Sequence, residues 1–182
     1  TVRELMSHTG GLTYGMFSRS QVDSMYVSAN ILDGNGTLKD MIDKLARIPL
    51  RQQPGSQWHY SVSVDVQGYL VEVLSGQTFE EFLQERLFTP LAMVDTGFGV
   101  PDNKRDRFAK MYQSTPEGLQ APADALGGDY PAQATFFGGG GGLVSTIGDY
   151  MKFTQMLANG GELNGVRILA PESVETMRSN QL

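Results

Sequence analysis

The chain has 182 residues, 40% of them hydrophobic and 19% charged, which is enough for one sizeable core and does not require a second domain. Its 20 acidic residues outnumber its 14 basic ones, and the net charge of -6, without any basic run, argues against a nucleic acid partner. The absence of cysteine excludes disulfide bonds, thiolate metal sites and a cysteine nucleophile.

The first predicted helix occupies the start of the chain. Val2, Leu5 and Met6 lie at helical spacing and therefore share one face. We expect this helix to end at Gly10 and Gly11, because glycine adopts the left-handed conformation of a helix C-cap at little cost.

Four further helices are predicted before residue 90. Residues 20–31 form the first of them. Two others begin at capping boxes that start with Thr37 and Thr78, where a Thr oxygen and a carboxylate each bond an unpaired amide of the first turn. Between these boxes, apolar residues at 3.6-residue spacing predict a buried helix that starts just after Tyr60. Its apolar face comprises Val62, Val66, Tyr69, Leu70 and Val73.

The helical period disappears between about residues 97 and 137, and we expect an irregular insertion there. Residues 108–112 are a candidate strand within it. Proline interrupts the remainder of the insertion, at Pro101, Pro116, Pro122 and Pro131.

Regular structure returns after the glycine run at residues 138–142. Either Ser145 or Thr146 is expected to cap a helix, and Asn159-Gly160-Gly161 to end it. The pair Asn164-Gly165 predicts a tight turn between two short strands, and Pro171 opens a last helix.

Four blocks of this sequence, in this order, resemble the family of serine β-lactamases, penicillin-binding proteins and related carboxylesterases. They are residues 1–12, 54–68, 90–98 and 141–172, so the likeness covers nearly the whole chain. Each block alone is a weak signal, whereas four in sequence at plausible spacing are specific. The stretch from Tyr60 to Gly68 resembles the carboxylesterase branch most.

The resemblance implies the α+β fold of serine β-lactamases and DD-peptidases, with a helical region that carries a tyrosine loop. This chain would be that helical region with its insertions, mainly α with short β segments, in a single partial domain over residues 1–182. The family also has a Ser-x-x-Lys nucleophile motif and a Lys-Thr-Gly-like strand. Neither occurs here, so we expect the nucleophile before position 1 and the strand motif after Leu182.

The resemblance assigns the family's catalytic tyrosine to Tyr60, in the motif His59-Tyr60-Ser61-Val62. Its phenolic oxygen would exchange a proton with the nucleophilic serine and later with the leaving group. A free phenol has a pKa of about 10, so base strength at neutral pH requires a nearby ammonium, which the Ser-x-x-Lys lysine would supply. Without the resemblance, Tyr60 would be a packing residue at a helix entry.

The serines of this motif offer a second arrangement. Ser61 and Ser63 are candidate nucleophiles, and the only two histidines, His8 and His59, are candidate bases. No Gly-x-Ser-x-Gly elbow surrounds either serine, which argues against a self-contained triad. We expect Ser61 to cap or begin the helix instead, and Asp65 either bonds near the helix entry or is a solvated helix residue.

By the same resemblance, the glycine run borders the acyl pocket, with Phe136 and Phe137 as candidate apolar walls and Gly141 leaving room for substrate. Val62 stands where β-lactamases and penicillin-binding proteins usually have an asparagine that bonds the amide carbonyl of the substrate. Because valine cannot make that bond, we expect esters to be preferred. The run lacks the Gly-Lys-Ser/Thr ending of a P-loop, which argues against a nucleotide site.

The sequence therefore predicts part of a serine hydrolase that cleaves carboxylic esters through a covalent acyl-enzyme, with no cofactor and no metal. Two alternatives stay open: a β-lactam or D-Ala peptide as the substrate, and a non-catalytic binding module. The expected partners are a small-molecule ester or β-lactam and the missing flanking segments or another chain. No membrane span is expected, and both cytoplasm and periplasm are open as compartments.

Overall fold

The computed structural model describes residues 1–17, 19–120 and 130–180, and within them the chain is mainly helical. Residues 121–129, which include Pro122, lie outside the described residues. The helices are α1 (Val2–Met6), α2 (Gln21–Ser28), α3 (Leu38–Leu45), α4 (Ser63–Ser75), α5 (Phe79–Leu83), α6 (Ile147–Ala158) and α7 (Pro171–Arg178). The strands form two antiparallel hairpins, β1 (Gln113–Thr115) with β2 (Gly118–Gln120) and β3 (Glu162–Leu163) with β4 (Val166–Arg167).

Local hydrogen bonding explains most of the helix starts. The Thr37 and Thr78 side chains accept the Asp40 and Glu81 amides, and each carboxylate bonds back to the threonine, so both predicted capping boxes are confirmed. Thr146 caps α6 in a related way by accepting the amide of Asp149. These helices therefore begin where the sequence predicts.

The first helix is shorter than the sequence suggests. It ends at Met6, and the left-handed residue behind it is His8, with φ 55°, rather than a glycine. His8 closes a Schellman-type turn in which the Thr9 amide donates to the Glu4 carbonyl at 2.9 Å. Gly11 also has a positive φ, 84°, but it does not cap the helix. Glycine is needed there because a Cβ would lie 2.4 Å from the carbonyl oxygen of Gln52.

Helices α1, α3 and α5 pack on α4, and the first core cluster combines residues of α2 and α3 with the start of α4. Its most buried member is Val62, just before α4, which is 0% exposed. The other buried members are Tyr26, Ile31, Leu38 and Met41. This packing fixes the N-terminal end of α4 and hence the segment that contains Tyr60.

A second core cluster forms around the C-terminal elements. Met156 of α6 is 0% exposed and packs with residues from the turn that follows α5. That turn, Gln84–Phe88, is π-helical. The Asn164-Gly165 turn joins β3 to β4, with φ 50° and 80° at its two residues, as a tight hairpin requires. The other members of the cluster are Phe88, Leu91 and Met93.

The segment between about residues 97 and 137 contains little regular structure among its described residues. It has a 3-10 helix, Asp102–Arg107, and the short β1–β2 hairpin. The expected strand at residues 108–112 is wrong, because strand pairing begins only at Gln113. Gly118, with φ 112°, lets the chain turn back so that β2 pairs with β1. No helix in the described part of the chain is both long enough and apolar enough to cross a membrane.

Candidate functional site around Tyr60

Tyr60 lies just ahead of α4, in a segment held by backbone hydrogen bonds to the loop after α1. The His59 amide donates to the His8 carbonyl at 2.9 Å, and the Val62 amide donates to the Thr13 carbonyl at 3.3 Å. Tyr60 itself is 44% exposed. Its backbone is therefore fixed from both sides while its ring still reaches the surface, at the entry to α4 where the sequence predicts it.

Four rings surround the Tyr60 side chain and form what we call the aromatic cluster. The ring centroids of His8 and Tyr14 lie 5.0 Å and 5.1 Å from that of Tyr60. Phe17 and Trp58 follow at 6.0 Å and 6.4 Å, with Trp58 stacked on the tyrosine. Contacts of this kind restrict the ring without burying its hydroxyl.

Tyr14 is a second tyrosine at this site, and its ring lies against the Tyr60 ring. Burial raises the pKa of Tyr14 well above its usual value, and the nearby charge of Asp65 raises it further. Tyr14 therefore stays protonated over the whole neutral range. Nothing in the sequence pattern singled out this second tyrosine, since its link to Tyr60 is a contact between distant segments.

Asp65 lies beneath this pair, on the first turn of α4, and is 3% exposed. Its Oδ1 accepts the Gly140 amide at 2.9 Å. Its Oδ2 accepts no hydrogen bond from the described residues. Burial raises the pKa of this carboxyl, and the bond from Gly140 opposes the shift. Of the two roles considered from sequence, Asp65 takes the buried, hydrogen-bonded one.

The glycine run packs directly against the start of α4. A Cβ at Gly139 would lie 2.1 Å from the Val64 carbonyl oxygen. A Cβ at Gly140 would lie 2.7 Å from the Tyr14 hydroxyl and 2.9 Å from Asp65 Oδ2. Side chains are thus excluded here by the close approach of two distant segments, a role that the sequence did not indicate.

The two serines beside Tyr60 are buried and bonded to each other. Ser61 and Ser63 are 1% and 0% exposed, and their hydroxyls are 2.7 Å apart. His8 Nδ1 lies 3.3 Å from the Ser61 hydroxyl. The expectation that Ser61 caps the helix is wrong: Val62 occupies the N-cap position without a side-chain bond, and Ser61 bonds sideways instead. Burial also argues against either serine as a nucleophile, because no substrate reaches them.

His59 belongs to a separate polar network behind the aromatic cluster. Arg51 Nη1 donates to His59 Nε2 at 3.1 Å, which places the ring proton on Nδ1. Burial lowers the pKa of His59 and the Arg51 charge lowers it further, against the opposite effect of Asp23. Asp23 in turn accepts the Thr13 hydroxyl at 2.6 Å. This arrangement keeps His59 neutral, and its contacts with Arg51 and Thr13 connect neighbouring loops.

The three predicted pocket residues end up in different places. Val62 is completely buried in the first core cluster and exposes no surface to a substrate, which corrects the expectation that this position faces the substrate. Phe137 is partly buried and packs on Phe98, with ring centroids 5.3 Å apart. Gly141 is exposed, and a Cβ on it would meet only open space.

A cavity of about 310 Å³ lies away from Tyr60, between the 3-10 helix and the start of α6. Phe98 and Phe108 give it apolar walls, and Lys104 and Arg107 reach its rim. Both cations bind Asp95, at 2.7 Å each. The hydrogen bonds from Arg107 and Lys104 lower the pKa of Asp95 to about 2. Two cations thus share one carboxylate, and none of these three residues belongs to the aromatic cluster.

Four of the five lysines are paired away from Tyr60. Lys39, Lys44, Lys104 and Lys152 each pair with a carboxylate elsewhere. Within residues 1–17, 19–120 and 130–180, no three histidine, aspartate or glutamate side chains converge as metal ligands would. The chemistry available at this site is therefore that of the Tyr60 phenol with a second phenol, Tyr14, beside it.

Comparison with known proteins places these features in a family context. A family model described as "Beta-lactamase" matches residues 1–182. Protein Rv1367c of Mycobacterium tuberculosis is 34% identical over 181 residues, which are 100% of this chain and 44% of that protein. The lovastatin esterase of Penicillium rubens is 30% identical over 186 residues, again covering 100% of this chain and 44% of the relative.

A solved structure gives the same result for the fold. EstCE1, a hydrolase with promiscuous acyltransferase activity, superimposes with a TM-score of 0.79 at 26% identity, over 99% of this chain and 50% of that one. The predicted fold class, a helical region of the β-lactamase-like fold, is thereby confirmed. The chain spans less than half of the curated relatives it matches, 44% in each of the two above.

Proposed function

The chain belongs to the β-lactamase family of serine hydrolases, and from that premise we propose that it is the central part of an enzyme that cleaves carboxylic esters through an acyl-enzyme. Its similarity to the lovastatin esterase and to the hydrolase EstCE1 supports the ester as the substrate class. The observation that carries the proposal is the half-exposed Tyr60 at the entry to α4, with a fixed backbone and a ring restricted by the aromatic cluster.

In this proposal Tyr60 is the general base and acid. The nucleophilic serine, in a segment outside this chain, bonds to the ester carbonyl carbon while its proton passes to the Tyr60 oxygen. That proton then goes to the leaving alkoxide, which departs as an alcohol. Water next attacks the acyl-enzyme, giving its proton to Tyr60, which returns it to the serine as the carboxylic acid leaves.

The ammonium that favours the Tyr60 phenolate would also come from outside the chain. The family's Ser-x-x-Lys motif supplies a lysine close to the nucleophile, and the pairing of four of this chain's five lysines with local carboxylates favours that lysine for the role. An ammonium within a few ångströms of a phenol favours its charged form. In the proposed active site, this chain therefore contributes the tyrosine, and a segment outside it contributes the serine and the lysine.

The preference for esters now rests on the relatives rather than on Val62. A fully buried valine meets no substrate, so the missing asparagine amide at this position does not decide between esters and β-lactams. Among the predicted pocket residues, Phe137 and Gly141 remain as proposed contacts for an apolar acyl group, since Phe137 is partly buried and the space beside Gly141 is open.

The proposal is tested on the full-length protein that contains this chain. We expect a larger kcat/KM for p-nitrophenyl butyrate than for nitrocefin, and Tyr60→Phe should lower kcat by about 10²- to 10⁴-fold, as removal of a general base does. Tyr112→Phe, which removes an exposed phenol before β1, is the matched control and should leave kcat unchanged. The 182-residue chain alone should hydrolyse neither substrate above background.

Each alternative has its own outcome in these assays. A larger kcat/KM for nitrocefin would favour a β-lactamase, and a fully active Tyr60→Phe protein would leave Tyr60 with a packing role. Turnover by the pure 182-residue chain that depends on Tyr60 would contradict the need for an outside nucleophile. Absence of any turnover in a full-length protein without a Ser-x-x-Lys motif would favour the binding module.

A further inference from the structure

The aromatic cluster presents two of its rings to solvent beside Tyr60. Trp58 and Phe17 are more than half exposed, whereas His8 and Tyr14 are partly buried. Five aromatic side chains are exposed among the described residues, and three of them, Phe17, Trp58 and Tyr60, belong to this cluster. Apolar side chains that are exposed together at one place usually mark a contact with another molecule.

The two exposed rings are held in place by the two partly buried ones. Trp58 meets His8 edge to face at a centroid distance of 6.0 Å, and Phe17 meets Tyr14 in the same way at 5.7 Å. Trp58 is also stacked on Tyr60, with 21° between the ring planes. The exposed rings therefore form a surface that is ordered before any substrate arrives, which lowers the entropic cost of binding to it.

The proposed reaction decides which part of an ester meets this surface. Tyr60 gives its proton to the leaving alkoxide as the ester bond breaks, so the alcohol oxygen must lie about 3 Å from the Tyr60 oxygen. A ring attached two carbons beyond that oxygen has its centre about 5 Å further out. The Trp58 and Phe17 centroids lie at a comparable distance from that of Tyr60, 6.4 Å and 6.0 Å. The acyl chain leaves from the other side of the carbonyl carbon.

We propose that Trp58 and Phe17 bind the alcohol part of the ester and select alcohols that carry an aromatic ring. The inference rests on the proposed role of Tyr60 as the proton donor to the leaving group. Aromatic rings pack on one another in offset or edge-to-face geometry and bury apolar surface as they do so. Because the cluster consists of rings alone, it suits a neutral alcohol with a ring better than a charged one.

The first test compares two butyrate esters in the full-length protein that contains this chain. Ethanol and 2-phenylethanol form alkoxides of similar basicity, so ethyl butyrate and 2-phenylethyl butyrate differ mainly by the ring. We expect kcat/KM to be about 10-fold larger for the phenylethyl ester, as the burial of one ring against others allows. Ethyl 4-phenylbutyrate places the same ring on the acyl side and serves as the comparison.

Substitutions in the cluster should change this selectivity. Trp58→Ala should reduce the ratio of the two kcat/KM values to about 2, and Trp58→Phe, which keeps a ring, should retain most of it. Phe17→Ala should lower the ratio in part. A general loss of activity cancels, because both esters are measured on the same variant. Tyr112→Ala removes an exposed ring outside the cluster and is the control, so it should leave the ratio unchanged.

The second test needs no turnover. Trp58 is the only tryptophan of the chain. The full-length protein is labelled with 5-fluorotryptophan, and the Trp58 resonance is assigned from the Trp58→Phe variant. Addition of 2-phenylethanol should shift this resonance to saturation, and 4-phenylbutyrate should not. Phe17→Ala should raise the concentration of 2-phenylethanol needed for half of the shift.

The outcomes separate this inference from the proposed function. An unchanged ratio in Trp58→Ala, or no fluorine shift with 2-phenylethanol, would overturn the inference even if Tyr60→Phe abolishes turnover. It would also be overturned if Trp58→Ala removed a preference for the ring on the acyl side instead. A fully active Tyr60→Phe protein would overturn the proposed general base, and the fluorine titration would then decide alone whether the cluster binds the alcohol.

Discussion

The first turns of α4 and α6 each bury an aspartate at the third helical position, yet the two carboxyls have opposite electrostatic surroundings. Asp65 in α4 and Asp149 in α6 are both 3% exposed. Burial raises the pKa of Asp65. In Asp149 the same burial is outweighed by hydrogen bonds from Lys152, the Asp95 amide and Thr96, and the pKa is lowered.

The start of α6 follows the local rules of a stable helix. Thr146 accepts the Asp149 amide, and the carboxylate of Asp149 receives the Asp95 amide at 2.7 Å and the Lys152 ammonium at 2.9 Å. The two contacts to the carboxylate favour the charged form of this aspartate, as does its place at a helix N-terminus. The aspartate therefore fastens α6 to the segment around residue 95.

The start of α4 departs from those rules. Val62 occupies the N-cap without a side-chain bond. Among the described residues, Asp65 Oδ1 accepts the Gly140 amide and Asp65 Oδ2 has no hydrogen-bond partner. A helix start of this kind is less stable than a capped one. Departures from local consistency are expected where function competes with stability, and this one lies directly beneath Tyr14 and Tyr60. The comparison thus separates a structural aspartate from one associated with the proposed site.

The largest loss of stability is expected from Gly139→Ala, which disturbs the packing at α4 and leaves α6 unchanged. The added Cβ would lie 2.1 Å from the Val64 carbonyl, so the backbone of the run or of α4 must move. We expect a loss of about 3 kcal/mol in the free energy of unfolding, measured by urea denaturation. Gly141→Ala, whose Cβ meets open space, is the control and should change that value by less than about 0.5 kcal/mol.

Exchanging each aspartate for asparagine sharpens the comparison. At neutral pH, Asp149→Asn should lower the free energy of unfolding by about 2 kcal/mol, because it removes the charge that Lys152 and the Asp95 amide bind. Asp65→Asn should change it by less than about 1 kcal/mol, because the amide oxygen still accepts from Gly140 while a buried charge disappears. Equal losses in the two variants would contradict the distinction.

The pH dependence of these two effects should have opposite signs. A lowered folded-state pKa makes Asp149 stabilising above its unfolded pKa, and this contribution is lost as the pH falls through the folded value. A raised pKa makes Asp65 favourable below its unfolded value and unfavourable as the pH rises through the folded one. Both effects can be measured by urea denaturation from about pH 3 to 8. The stability that Asp149→Asn loses relative to the unsubstituted protein should become smaller at acid pH. The stability of Asp65→Asn relative to the unsubstituted protein should increase as the pH rises.

The smallest expected effect concerns the cap of α6. Thr146→Ala removes the hydroxyl that accepts the Asp149 amide, and we expect a loss of about 1 kcal/mol in the free energy of unfolding. Thr146→Ser keeps the acceptor and is the control, so it should restore most of the loss. No loss on Thr146→Ala would mean that Asp149 alone fixes the start of α6.

Local chemistry made much of the fold predictable. The capping boxes at Thr37 and Thr78, the cap at Thr146, the Asn164-Gly165 turn and the opening of α7 at Pro171 each depend on a few adjacent residues, and all are confirmed. Tyr60 could be placed at the entry to α4 because a proline-rich break precedes a periodic apolar run. The family resemblance then gave this tyrosine a chemical role.

Contacts between distant segments set the limit of that prediction. The burial of Val62 follows from its packing with Tyr26, Leu38 and Met41, three residues of other helices. The glycine run was assigned to a pocket border, whereas Gly139 and Gly140 pack on α4. The end of α1 was misplaced because His8, not a glycine, takes the left-handed position. That residues 97–137 form an insertion within a single partial domain stays a prediction.

The bond from the Gly140 amide to Asp65 joins residues 75 positions apart. Closing so long a loop precedes any gain from the contact, so the surroundings of Tyr60 assemble late in folding, after the locally capped helices. The Gly140 amide proton is consequently a natural reporter of this assembly: its exchange with deuterium proceeds only when the run separates from α4. A slow exchange rate there marks an intact tyrosine site in a molecule whose helices remain folded in either state.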